Sequence, residues 1–244
     1  MKTLIGLSLA VLLAAPAFAE PTDIAVIKAV DADCVSAFVG MQVTVRGIVK
    51  NLDELGVSGP CVIEDDTGGI LFYDYPIVDF FAVGDDVTVT AWLDQYNGLL
   101  ELVDEPDVGT PPTVTINSSG NPTDPNIVAP NEAMSETWEG SLLRCDCVFF
   151  HDADGVTMFN YTHTFEDAYG NIGTVYEDSS TDLGTMVIPS GWVDVIGVGG
   201  QYDSDPTDGL CQDYQMMPRG TQDIIFGASP TEKTSWSAVK ALYR

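Results

Sequence analysis

Positive charge is what this sequence has least of. Nine Lys and Arg stand against 37 Asp and Glu, a formal net charge of −28, and there are only two His. Affinity for polyanions comes largely from Lys and Arg that neutralise phosphates, and so acidic a chain repels a polyanion at long range. Lys2 lies in the N-terminal leader, and Lys233, Lys240 and Arg244 fall in the last dozen residues. That leaves Lys28, Arg46, Lys50, Arg144 and Arg219 for the body. With His151 and His163 as the only histidines, zinc ranks well below disulfides as a use for the cysteines. No P-loop, GxSxG, HExxH or CxxC occurs, so no motif supports enzyme chemistry. Beyond the leader no apolar run is long enough to span a bilayer, and no transmembrane segment is expected.

The leader reads as a secretory signal peptide over residues 1–19. Lys2 supplies the positive start, Leu4 to Leu13 the short apolar run, and Ala17-Phe18-Ala19 the small-x-small cleavage pattern. The expected location is therefore secreted or periplasmic, where disulfides persist. The cysteines are Cys34, Cys61, Cys145, Cys147 and Cys211, an odd number, so at least one thiol is unpaired or pairs between molecules. Cys34 with Cys61 would staple the first half, and Cys211 with Cys145 or Cys147 the second.

Runs rich in Val, Ile, Thr and aromatics alternate with Gly, Asp, Asn and Pro clusters, which reads as strands and turns. In the first half, strands are expected at 43–49, 61–64, 70–73, 87–93 and 99–103. A short helix or irregular plug at 76–83 separates the third from the fourth. Five strands with that insertion is the layout of an OB barrel. Residues 105–130, with several prolines and Asn117-Ser-Ser-Gly120, read as a linker, although Val114–Ile116 could add an edge strand. The second half repeats the first. Glu64-Asp65-x-x-Gly68-x-Ile70 returns as Glu166-Asp167-x-x-Gly170-x-Ile172, Val45-Arg46 as Leu143-Arg144, and Gln95-Tyr96 as Gln201-Tyr202. The expected architecture is all-β: two tandem OB-like five-stranded barrels, at 20–104 and 131–226, joined by a Pro-rich linker. A basic amphipathic tail at 227–244 follows, and it suggests a contact with an acidic surface or the cell envelope.

Three stretches carry a resemblance: Val43-Thr-Val-Arg-Gly-Ile-Val49, Glu64-Asp-Asp-Thr-Gly-Gly-Ile70 and Val83-Gly-Asp-Asp-Val-Thr-Val-Thr90. Trp138-Glu-Gly-Ser-Leu-Leu-Arg144 and Tyr214-Gln-Met-Met-Pro-Arg219 continue it in the second copy. Over about residues 25–226 the chain resembles the tandem OB-like domains of exported bacterial proteins, of the kind found beside secreted nucleases. The resemblance implies an accessory binding module. Fold likeness does not carry function across.

OB barrels bind single strands by stacking bases on aromatics over a basic groove. Arg46, Tyr73, Tyr75, Trp92 and Tyr96 are the candidate ligand-binding residues, with packing residues as the plainer account of the aromatics. Such platforms flanked by Asp and Asn suit carbohydrate as well. The ligand class is single-stranded nucleic acid or glycan. Asp203, Asp205 and Asp208, at alternating spacing before Gly209, form the best candidate for a hard cation such as calcium, against a solvated turn. Asp65 and Asp167 sit at equivalent turns, where a duplicated active site competes with a turn that the fold requires. The preferred function is a non-catalytic binding module. A self-associating surface or matrix protein and a metal-dependent phosphodiesterase are the alternatives.

Overall fold

The computed structural model describes residues 20–229 except Tyr75, Pro206 and Asp208. The leader at 1–19 and the tail from Pro230 onward lie outside the described residues.

The first barrel is built from β1 (Gln42–Val49), β2 (Cys61–Glu64), β3 (Gly69–Phe72), β4 (Asp86–Tyr96) and β5 (Leu99–Val103). The strand order is β1-β2-β3-β5-β4, and β4 pairs back onto β1 to close the ring. All pairs are antiparallel except β3 with β5. Alternate residues point inward because strand side chains alternate faces. Val45, Ile63, Phe72, Val89, Leu93, Leu100 and Leu102 fill the core. A one-turn 3-10 helix at Ile77–Asp79 leads into Phe80 and Phe81, whose rings stand edge to face against Phe72. Ahead of β1, the short helix α1 (Ile24–Ile27) adds Ile24 and Ile27 to the core.

The segment read as a linker is largely structured. Residues Thr113–Ser118 form β6, which takes the edge of β4 left open where β5 does not reach. Asn126–Ile127 form β7, parallel to the first strand of the second barrel, and Pro130–Ala133 form α2. Only the stretch between Ser118 and Asn126 separates the two sheets.

The second barrel comprises β8 (Leu142–Phe150), β9 (Thr162–Asp167), β10 (Ile172–Tyr176), β11 (Val193–Gln201) and β12 (Tyr214–Met217). It closes in the same order, with β11 on β8 and a parallel β10–β12 pair. The strand β13 (Ile224–Phe226) sits on β11 as β6 sits on β4. Two closed five-stranded barrels of one topology thus organise the described residues. The repeat carries a one-residue difference at its central turn. Glu64 opposes Gly69, whereas Glu166 opposes Ile172. The counterpart of Ile70 is therefore Gly173, and Phe165 occupies the space a side chain there would need.

Residues 156–161, ahead of β9, are irregular apart from an isolated bridge between Met158 and Val187. Asp154 Oδ1 accepts the backbone N–H groups of Val156 and Thr157, and Tyr161 adopts a left-handed φ of 53°.

Candidate binding cleft between the barrels

The outward faces of the barrels meet. Leu55, Val62, Leu71 and Leu99 of the first pack against Leu142, Val198 and Met217 of the second in one buried cluster. Each side chain this deep contributes about 1.5–3 kcal/mol relative to exposure. Contact is close enough to demand glycine. A Cβ on Gly140, whose φ is +73°, would lie 2.8 Å from the Gly69 carbonyl oxygen. Buried charge ties the same faces together. Lys28 donates from Nζ to the carbonyls of Glu136 (3.2 Å) and Glu139. Glu139 Oε1 accepts the Leu100 N–H, and Glu64 Oε1 accepts the Leu142 N–H at 2.6 Å. Burial pushes the Glu139 carboxyl up to about 8, against the pull of Lys28. Burial draws Lys28 down, opposed by the carboxylates of Glu139, Glu136 and Glu64.

A disulfide completes the junction. Cys34 and Cys211 are joined across 177 residues of sequence, linking the loop before β1 to the loop before β12. This corrects the pairings expected within each barrel. Cys61 and Cys145 are instead free and buried in the two cores, and Cys147 is free and half-buried.

Beside this junction lies a cleft of about 930 Å³. Its walls are the outward residues of the parallel strand pairs of both barrels. Tyr73 and Glu101 come from the β3–β5 side, and Tyr176 and Gln215 from β10 and β12. These four are structural counterparts, since Phe72 opposes Leu102 as Val175 opposes Met216. Tyr96, Tyr202 and Tyr214 bring the tyrosines to five, and Asp178 and Asp213 join Glu101 as acids. Among the described residues the lining contains no Lys or Arg. Tyr96 and Tyr202 are more than half exposed and meet edge to face at 6.4 Å.

Glu101 is the most perturbed group in the cleft. It stands between core residues Leu100 and Leu102, so strand alternation turns it outward, half-buried. Burial first, then the charge of Asp94, pushes its carboxyl up to about 8. Tyr73 is raised by burial and by the negative charges of both Glu101 and Asp178, which places its phenol near acids of both barrels. On the same wall, Gln201 donates from Nε2 to the carbonyls of Leu210 and Gln212, while its buried Oε1 accepts from none of the described residues.

The sequence candidates divide. Tyr73 and Tyr96 line the cleft. Trp92 does not; it lies half-buried on β4 between Gln42 and Val103. Tyr75 lies outside the described residues. Arg46 lines a separate acidic depression with Lys50, and its guanidinium is held by both oxygens of Asp86, at 2.9 and 2.6 Å. The other body cations are likewise committed. Lys50 pairs with Glu64 at 3.3 Å, Arg144 with Asp146 and Asp194, and Arg219 with Asp223 at 2.8 Å. Lys28 is buried among carboxylates. Every Lys and Arg of the described residues is thus answered by acid.

The candidate cation loop uses the Oδ1 atoms of Asp203 and Asp205 in its own bonds, while Asp203 Oδ2 is buried with no partner among the described residues. Asp205 Oδ1 accepts from the Thr207 N–H and hydroxyl, and Asp203 Oδ1 accepts the Asp205 N–H. Asp203 is buried where its N–H meets the Asn97 carbonyl of the first barrel at 2.7 Å. Asp208 lies outside the described residues. Among the described residues no group of three or more His, Cys, Asp or Glu is arranged to hold a metal ion. Asp65 and Asp167 behave as turn residues. Asp65 Oδ1 accepts the N–H groups of Thr67 and Gly68, and Asp167 Oδ1 those of Tyr169 and Asn171.

Sequence reasoning missed Glu101, Asp178, Gln201, Asp213 and Tyr214. Only Glu101 carried a signal, as a carboxylate inside the apolar run Leu99-Leu-Glu-Leu-Val103. No protein-family model matches the chain, and no curated protein sequence matches it.

Proposed function

We propose that the protein is a non-catalytic binding module acting outside the cytoplasm, and that the cleft between its barrels is where the ligand sits. The carrying observation is the composition of that cleft: among the described residues, five tyrosines and three acids with no Lys or Arg. Concave sites of roughly 300–1,000 Å³ lined by aromatics with a few polar groups are typical of small-ligand recognition. The tyrosines supply flat apolar area, and the acids supply acceptors. A neutral glycan or a cationic group meets both, and a polyanion meets neither. Among the ligand classes that OB barrels take, nucleic acid is disfavoured, because no cation of the described residues is free to answer phosphate.

Binding of a neutral oligosaccharide, a polyamine and a single-stranded DNA, each measured by isothermal calorimetry at low salt, tests this reading. The wild type is expected to bind one of the first two, and Tyr96→Ala/Tyr202→Ala to weaken it by about tenfold, the scale of stacked aromatic contacts. DNA binding that survives in that variant, with neither other ligand bound, would overturn it.

A further inference from the structure

The cleft holds a carboxylate that the protein itself leaves unanswered. Glu101 has no hydrogen-bond donor and no cation beside it among the described residues, and its charged neighbour on the adjacent strand is another acid, Asp94. The acceptor Oε1 of Gln201 is buried with no partner among the described residues, in a residue 2% exposed. Its orientation is fixed, because the amide nitrogen is spent on two carbonyls. The Oε1 atom packs against Gly98 of the first barrel, so it belongs to the rigid wall of the cleft and not to the surface a ligand meets. Asp178 and Asp213 add negative potential from the second barrel. Five tyrosines face the same space, and aromatic faces attract cations. Acids without cations and aromatic walls together ask for a positive group on an apolar stem.

We propose that the cleft receives protonated alkyl amines, laying the methylene chain along the tyrosines and setting the ammonium against Glu101. This rests on the cleft being the binding site and names the ligand chemistry it takes. An ammonium supplies three donors and a charge. It offsets the desolvation of Glu101 and so favours the ionised carboxylate. Binding therefore releases a proton from Glu101 at neutral pH. Affinity should rise as pH climbs through about 8, until the amine begins to lose its own proton near 10. The groups that face this titration are Asp94 on β4, Tyr73 after β3, Glu139 ahead of β8, itself raised to about 8, and Asp178 and Tyr176 on the second barrel. The amine could be a free polyamine or the lysine side chain of a partner.

The test titrates spermidine, and separately a lysine-containing peptide with blocked ends, into the intact protein. The ionic strength is about 0.15 M, where the screening length is about 8 Å and diffuse attraction to an acidic protein is weak. Wild type is compared with Glu101→Gln and with Asp107→Asn, which removes one charge from an exposed turn away from the cleft. Glu101→Gln is expected to weaken binding about tenfold, as for loss of one charge-assisted hydrogen bond. It should also abolish the rise between pH 6.5 and 8.5. Asp107→Asn should leave both unchanged. Binding of spermidine identifies a free amine as the ligand, and binding of the peptide alone a lysine side chain; either supports the proposal. No binding, or equal losses in the two variants, would overturn it, the second by showing only a counterion atmosphere. A neutral oligosaccharide that binds through the tyrosines while no amine binds would leave the cleft as the site and remove the amine as its ligand.

Discussion

Replacing Lys28 by Met should destabilise the protein strongly, and more at high pH than at low. Lys28 lies at the barrel junction, 6% exposed, donating to two carbonyls amid Glu139, Glu136 and Glu64. Removing one partner from buried charges typically costs about 3–5 kcal/mol, because the remaining charge is uncompensated. Here the remaining charge can be discharged. Burial holds the Glu139 carboxyl up at about 8, and losing Lys28 removes the main pull in the other direction. At pH 5 Glu139 is neutral in the folded protein, so the loss should shrink to the two hydrogen bonds, about 1–3 kcal/mol. Above about 8 the wild-type carboxyl ionises while that of the variant keeps its proton, so the loss should grow from there by up to about 1.4 kcal/mol per pH unit. The double variant Lys28→Met/Glu139→Gln should recover part of it, since an apolar or neutral replacement of the whole pair is often tolerated. Urea unfolding of the three proteins at both pH values measures this. A loss below about 1 kcal/mol at pH 8.5, or equal losses at both pH values, would refute the electrostatic account of the junction.

Global stability should peak near pH 4–5. Glu101 and Glu139 have folded-state values raised to about 8 from an ordinary value near 4.5. Their stabilisation is complete below 4.5 and is lost as pH rises towards 8, at up to about 1.4 kcal/mol per pH unit for each group. Asp86 and Asp167 are lowered, Asp86 chiefly by Arg46, and Asp167 by hydrogen bonds in its turn that outweigh burial. Their contribution is present above about 4 and is lost as pH falls. A thermal-melting series from pH 3 to 9 that rose steadily would contradict this. Thiol labelling of the native protein should modify Cys147 alone at first, with Cys61 and Cys145 reacting only on unfolding. Burial raises all three thiols, Cys145 to about 12, and depth keeps the two core thiols out of reach. Replacing Cys34 and Cys211 by Ser should cost up to about 5 kcal/mol, the chain-entropy value for so long a loop. Unchanged urea unfolding in that variant would mean that the disulfide adds nothing to the packed junction.

The barrels were legible because their determinants are local. Alternation marked the strands, and a repeated Glu-Asp turn marked the duplication. The junction was not, because it joins outward residues of strands far apart in the chain. Leu99, Glu101 and Leu142 read as alternate positions on strands, with nothing in the sequence to say what covers them. The disulfide failed for the same reason: proximity of Cys34 and Cys211 exists only once the barrels pack. Arg46 looked available because Asp86 is 40 residues away, yet the β1–β4 register sets Thr88 opposite it and Asp86 at the diagonal. Val114–Ile116 was visible as an edge strand, but the prolines around it read as linker while the open edge of β4 decides its place.

The most direct test of the cleft is the tyrosine-ring NMR spectrum of the intact protein, titrated with spermidine, a neutral oligosaccharide and single-stranded DNA. The account predicts that the rings of Tyr73, Tyr96, Tyr176, Tyr202 and Tyr214 shift together with spermidine, that Tyr161 and Tyr169, outside the cleft, stay in place, and that DNA moves none of them. Cleft rings that respond to none of the three ligands, or only to DNA, would contradict it.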